Sequence, residues 1–329
     1  MSREILGIFL LLDVCGYSQT VVGSGYTSPA PVSAAPGQIA TFLVSGLGIL
    51  GPIDAPAGPL PPVLGGVSAT LHQGRDLAVP IQSIRPVPLC PGSTTAPSGG
   101  CATLTAVTVE IPYELIPACT QPVCPQIALP ATLSIALNGQ AGPGIALNPV
   151  ADQVHVLTAC DIAVAGAPRP ANSSGLPCAP LVTHADGSIV TPSSPAAVGE
   201  ALTAWVVGLG QTSPAAVTGQ PGKAAPTVAT FDLNYDYRVN ALPVKPFRGS
   251  PDRIPPQPLF AGSAPGFAGL YQVNFTVPQD PANGTPRCPL TGTFAAGPNV
   301  AQSNLTVSIG GQSSFDGAGI CVVTRLPVD

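Results

Sequence analysis

Charge is what this chain has least of. Acidic and basic residues fill only 8% of its 329 positions, where an ordinary globular protein carries about 25%. Its lysines are Lys223 and Lys245, and the formal net charge is −5. With no basic stripe to neutralise phosphates, nucleic acid is not an expected partner. Long apolar runs are missing too: past the N-terminus none approaches the ~18 residues a membrane helix needs, so no membrane span is expected. The histidines are His72, His155 and His184. They form no His-Glu-x-x-His helix for a metal, and no Gly-x-Ser-x-Gly elbow occurs for a serine hydrolase. Each is read as a solvent-facing or edge residue. Gly46, Gly48 and Gly51 have the dinucleotide spacing, but Pro52, Pro56 and Pro59 forbid the helix whose N-terminus would hold a pyrophosphate. No cofactor is expected.

Proline and glycine, at 42 and 37 residues, are abundant enough to raise the question of disorder, but 45% of the chain is hydrophobic. That apolar content is patterned, which gives the chain a core to set against its entropy. The period is two almost everywhere. Strands are expected at 39–44, 67–71, 105–111, 132–137, 202–207, 231–237, 270–277 and 304–309, and a hairpin with an Asp-Gly turn at 181–190. No segment sustains a helical period. Many short strands separated by Gly and Pro turns predict an all-β chain of antiparallel, immunoglobulin-like β-sandwiches.

The chain repeats itself. Ser33 to Gly37, followed by Ile39, Thr41 and Phe42 and then Gly46 and Gly48, returns as Pro195 to Gly199, Ala201, Thr203, Ala204, Gly208 and Gly210, an offset of 162. Val107 to Pro112 returns as Val273 to Pro278 at 166, and Leu133 to Gln140 as Leu305 to Gln312 at 172. Three blocks in one order with a growing offset describe a duplicated domain with loop insertions. The expected organisation is a signal peptide at 1–18, a first sandwich at 19–157 and a second at 158–329. Pro112 and Pro278 close equivalent strands, where a missing donor stops the ladder and blunts an edge.

Export is read from both ends of the argument. Arg3, the apolar run Ile5 to Leu12, and small Gly16 and Ser18 make a short secretory signal with the mature chain starting near Gln19. Acylation of Cys15 is the rival, disfavoured by bulky Val14. Eight further cysteines suit an oxidising compartment better than zinc, since no Cys-x-x-Cys occurs. Nearest-neighbour pairing within each half is expected: Cys90 with Cys101, Cys119 with Cys124, Cys160 with Cys178, and Cys288 with Cys321. Sequence alone does not fix that connectivity.

The segment from Leu259 to Pro278, with its Gly262, Pro265-Gly266, Gly269, Tyr271 and Val277-Pro278, resembles the hallmark of the Solibacter-type uncharacterised C-terminal domain family, a paralogous group of exported acidobacterial proteins. Pro36-Gly37 through Gly46-Leu47, Leu64 to Val67, Ile111 to Glu114, and Gly208 to Gly210 with Gly219 extend the likeness over about residues 30 to 312. The resemblance implies a secreted or surface β-rich module with no catalytic residues to carry over. The cysteine-bearing insertions at 85–101, 118–126 and 287–299 depart from the pattern.

Few residues invite chemistry. Glu110 and Glu114 bracket Pro112-Tyr113 and are read as a solvated strand end rather than an acid–base pair. Asp232, Asn234 and Asp236 share one face of a strand and are weak calcium candidates, against a chemistry that wants six to eight converging oxygens. Tyr235 and Tyr237, with Phe247, are weak candidates for stacking on a sugar ring. Tyr271 has the placement of a corner tyrosine whose hydroxyl ties down a connection. Trp205, in register with Leu43, is read as core. The expected function is a non-enzymatic secreted or cell-surface structural or adhesion module with a glycan or envelope protein as partner, oligomeric state open. A carbohydrate-binding module is the alternative and a secreted hydrolase a distant third.

Overall fold

The computed structural model describes residues 20–24, 32–48, 51–88, 103–117, 129–158, 180–228, 231–236, 258–278, 288, 300–309, 312–313 and 318–324. Every regular element among them is a strand. Residues 1–18, Tyr237, Phe247 and Cys90, Cys101, Cys119, Cys124, Cys160 and Cys178 lie outside the described residues.

Four sheets result. The first runs β1 (Thr20–Ser24), β3 (Ile39–Ser45), β9 (Thr103–Glu110), β8 (Ile81–Pro88), β4 (Ile53–Asp54). The second runs β2 (Val32–Ala34), β12 (Ile145–Pro149), β10 (Ala131–Leu137), β6 (Val67–His72), β5 (Val63–Leu64), with β11 (Gln140–Ala141) on β10 and β7 (Asp76–Val79) on β6. The third runs β13 (His155–Val156), β16 (Ala201–Val207), β20 (Tyr271–Thr276), β19 (Pro258–Ser263), β17 (Ala225–Pro226), with β14 (Val182–Thr183) also on β16. The fourth runs β15 (Ala196–Ala197), β23 (Ala318–Val323), β21 (Val300–Ile309), β18 (Phe231–Asp236), with β22 (Gln312–Ser313) on β21. No ladder joins the first two sheets to the last two among the described residues. The last strand of the first pair ends at Pro149 and the first strand of the second pair begins at His155.

Alternation drives the packing. β6 and β10 bury Val67, Ala69, Leu71 and Leu133, Ile135 on one face, and these meet Phe42, Val44, Val107 and Val109 from the facing sheet. In the second pair, Leu202, Ala204 and Val206 of β16 and Tyr271, Val273 and Phe275 of β20 meet Leu233, Ile320 and Val322. Each such side chain contributes about 1.5–3 kcal/mol on leaving water. Antiparallel ladders dominate, but β2 pairs β12 and β15 pairs β23 in parallel, so in each pair of sheets a short early strand lies alongside the last strand.

Two expectations need refining. Trp205 is not core: it falls on the partly exposed face of β16, its Nε1–H donating to Thr183 Oγ1 at 3.2 Å. The alternation that buries Ala204 and Val206 turns residue 205 outward. The hairpin at 181–190 closes with Gly187 N–H bonded to the His184 carbonyl and His184 N–H to that of Ser188, so its loop is longer than a two-residue Asp-Gly turn.

Cys288 and Cys321 form a disulfide with Cα atoms 5.6 Å apart, buried with Val300 in a small cluster of their own. It closes a sequence separation of 33 residues. Replacing both cysteines by alanine should cost about 3–4 kcal/mol in denaturant unfolding, the loop-entropy value for that span. A loss under about 1 kcal/mol would mean that the segment between them is held by other contacts.

Candidate functional site

The polar groups that sequence left scattered converge where the two pairs of sheets meet. Pro112 stops the β9 ladder after Glu110, and the chain turns there, with Leu115 N–H bonded to the Pro112 carbonyl. The turn throws Tyr113 across the gap. Its ring belongs to the buried cluster of the second pair of sheets, and its hydroxyl lies 2.9 Å from that of Tyr271. Tyr271 in turn donates to the Gly210 carbonyl at 2.7 Å, which leaves Tyr113 as the donor of the hydroxyl pair. The corner role of Tyr271 is therefore combined with a docking role. Burial pushes the Tyr113 hydroxyl up to about 12, moderated by the Tyr271 bond and reinforced by Glu110. Burial raises Tyr271 well above the ordinary phenol value, with the Tyr113 neighbour adding to it.

Backbone and side chains close the rest of the seam. Tyr113 N–H donates to Thr218 Oγ1 at 2.9 Å, and Thr218 Oγ1 donates to Glu114 Oε2 at 2.6 Å. Gln211 Nε2–H donates to the Tyr113 carbonyl, and Leu60 N–H donates to the Gly219 carbonyl at 2.7 Å. Gly269, at φ 64°, lies so close to the first pair of sheets that a Cβ there would come 2.6 Å from Ile39 Cδ1 and 3.0 Å from the Gly37 carbonyl oxygen. Only glycine meets both requirements, the left-handed backbone and the missing side chain.

Glu110 is not the solvated strand end its sequence suggested. It is fully buried, with Oε2 accepting the Gly219 N–H and Oε1 without a partner among the described residues. Burial pushes its carboxyl up to about 7, against the Gly219 bond, which lowers it, and with the Glu114 charge, which raises it further. Asp152, in the connection from β12 to β13, is buried with Oδ1 likewise unpartnered, and burial alone lifts it to about 7. That connection is bonded on both sides, through Val150 N–H to Ala34 and Gln153 N–H to Gly208.

His184 sits in a separate cluster that sequence reading missed. Its Nδ1 lies 2.5 Å from Glu200 Oε1, and its Nε2 lies 3.1 Å from the Ser194 carbonyl and 3.4 Å from Ser194 Oγ. Serine, histidine and an acid thus meet, as in a hydrolase. A carbonyl only accepts, however, so Nε2 must carry a proton, and Nδ1 donates to the carboxylate. With both ring nitrogens engaged in this way, Nε2 is not free to take the serine proton, and the Glu200 bond raises the His184 pKa above its ordinary value. Glu200 Oε2 also accepts the Ala197 N–H at 2.7 Å. The cluster ties the hairpin after β14 to the turn before β16.

The remaining described candidates lie on one strand. Asp232, Asn234, Tyr235 and Asp236 occupy ladder positions on β18, opposite Ser308, Thr306, Leu305 and Asn304 of β21. Among the described residues no three His, Cys, Asp or Glu side chains converge as metal ligands, and no helix is long and apolar enough to cross a membrane.

No family model matches the chain, and no curated protein matches it. Among solved structures it is similar to that of surface layer protein SbsC, domains 4-9, at 13% identity over 94% of this chain, with a TM-score of 0.22. The chain spans 31% of that structure's length. A likeness at that TM-score carries no argument about fold or role.

Glu110 makes the seam sensitive to pH. Its folded value lies above its unfolded one, so its stabilising share is complete below about pH 4.5 and is lost as pH rises through about 7. Glu110→Gln keeps an acceptor for Gly219 but cannot ionise. Melting of the natural chain should fall from pH 5 to pH 8, with roughly 2–3 kcal/mol of that loss absent in the variant. Parallel pH profiles would place the sensitivity elsewhere.

Proposed function

We propose that this chain is a non-enzymatic structural module of the cell exterior, built from two tandem immunoglobulin-like sandwiches docked end to end as one stiff unit. The observation that carries this reading is Tyr113, a first-half residue held in the core of the second half and bonded there to Tyr271. A side chain shared between cores resists hinge motion in a way that a linker between independent domains does not. The immunoglobulin-like reading is supported by strand order: β1-β3-β9-β8 and β12-β10-β6 follow the ABED and GFC arrangement, as do β13-β16-β20-β19 and β23-β21-β18. The recurrence of the Gly37 to Gly48 block at Gly199 to Gly210, with positive φ at Gly37, Gly46, Gly48, Gly199, Gly208 and Gly210, supports an internal duplication. The signal-like N-terminus and the Cys288–Cys321 disulfide support export. The resemblance to the Solibacter-type family rests on the sequence segments that carry it.

The pairing of His184 with the Ser194 carbonyl and the capping of Glu110 by Gly219 give both groups structural work, which favours a part that holds or presents over one that reacts.

The rigid pair is tested by Gly269→Val, which forces a β-branched side chain into a left-handed backbone against Ile39 and Gly37. Solution scattering of the natural chain should give one compact particle, with a single unfolding transition. The variant should give a longer, broader distance distribution and two transitions. A variant as compact and as cooperative as the parent would sink the stiff-unit reading. Turnover of an ester, glycoside or peptide that disappears with Ser194→Ala or Glu110→Gln would sink the non-enzymatic one.

A further inference from the structure

The second pair of sheets carries an outward surface for which the seam has no use. Register places Trp205 opposite Gln272, Thr203 opposite Asn274 and Ala201 opposite Thr276. β19 extends the rows, with Gly262 opposite Gln272 and Phe260 opposite Asn274. Because Leu202, Ala204, Val206, Val273 and Phe275 are buried, this set stands on the other face of the sheet. Thr203, Trp205, Phe260, Gln272, Asn274 and Thr276 are all partly exposed, and none is charged.

Their arrangement is held in place. The bond from Trp205 to Thr183 orients the indole. Thr203 Oγ1 donates to Asn274 Oδ1 at 3.2 Å, which leaves the Asn274 amide N–H groups as donors. Gln272, between the two aromatic residues, has no side-chain partner among the described residues, so its amide offers both a donor and an acceptor. Phe260 reaches back over Gly262, where a Cβ would lie 2.7 Å from its Cζ.

The first half shows what this face looks like without such a use. There the matching rows are Leu43 with Ala106, Thr41 with Thr108 and Ile39 with Glu110, with Ser83 on the next strand. Thr41, Ser83, Ala106, Thr108 and Glu110 are all buried, and the two threonine hydroxyls satisfy each other at 2.9 Å. Between the halves, Leu43, Ala106, Thr108 and Ser83 give way to Trp205, Gln272, Asn274 and Phe260, and the buried Ala106, Thr108 and Ser83 are replaced by partly exposed residues.

We propose that the outward face of β16, β20 and β19 binds an uncharged polysaccharide chain, with Trp205 and Phe260 stacking on sugar rings and the Gln272 and Asn274 amides bonding their hydroxyls. A pyranose presents an apolar C–H face rimmed by hydroxyls, and this surface answers with aromatic rings separated by neutral amides. The strands bearing the two rings lie two spacings apart, about 9.5 Å, which a short run of linked sugars bridges. An electroneutral face matches an electroneutral ligand. It offers nothing to phosphates, and the amides at its centre are unlike the apolar centre of a protein interface. This site lies on a different sheet from Tyr235 and is independent of the stiff-unit reading.

Trp205 is the only tryptophan in the chain, so intrinsic fluorescence reads this face directly. Cellohexaose, xylohexaose and chitohexaose would be titrated into the full oxidised chain, and retention measured on insoluble cellulose, xylan and chitin. A saturable fluorescence shift with at least one probe is expected, insensitive to salt. Retention should fall about tenfold or more in Trp205→Ala, the loss typical of an aromatic anchor. Gln272→Ala and Asn274→Ala, on exposed positions, should weaken it about three- to tenfold without lowering the melting temperature. No shift and no retention with any probe would overturn the proposal. So would binding that survives Trp205→Ala and Gln272→Ala together, or binding that is lost instead in Tyr235→Ala.

Discussion

A phenol buried away from water must find a partner or cost the fold about 1–3 kcal/mol. Tyr113 finds its partner in the other half of the molecule. The chain reaching Tyr271 O–H and then the Gly210 carbonyl is short and fully satisfied, and each member fixes the next. Around it the seam has little freedom. Thr218 bonds both the Tyr113 amide and Glu114, Gly219 bonds both Glu110 and Leu60, and Gly269 has backbone against its open side. Hydrophobic burial builds each half, while this polar seam decides how the halves sit.

The seam also accounts for an asymmetry between the halves. Glu110 is buried because residues of the second half cover the end of β9, and the matching position in the second half is Thr276, which remains partly exposed. A carboxyl with one unpartnered oxygen is a costly thing to bury. Its environment favours the proton, so docking and ionisation oppose each other near neutral pH. On the outward face of the second half the matching positions are partly exposed, and there the side chains change character, from Leu43 and Ala106 to Trp205 and Gln272.

Much of the fold was legible because period two and turn residues act locally. The strands at 39–45, 67–72, 131–137, 201–207 and 271–276 follow from alternation that one face of a sheet imposes. Trp205 was misread because register with Leu43 says which row a residue occupies, not which side of the sheet is covered. Glu110 was misread as solvated for the same reason: its neighbours Pro112 and Tyr113 mark a strand end, and a strand end is exposed unless another part of the chain lies on it. Gln211, Thr218, Ser194 and Glu200 carried no local signal. They matter through partners 10 to 105 residues away.

By itself the sequence determined an all-β chain, its strand positions, its repeated blocks and the scarcity of charge that narrows its partners. These are properties of alternation, turns and composition, which need no knowledge of what lies across a gap. Tertiary structure alone decided that Tyr113 enters the second half's core, that Glu110 is sealed while Thr276 is not, that His184 is held between Glu200 and Ser194, and that Trp205 stands on a partly exposed face. Each depends on which surfaces are covered, and coverage is a property of how remote segments pack rather than of any segment's own residues.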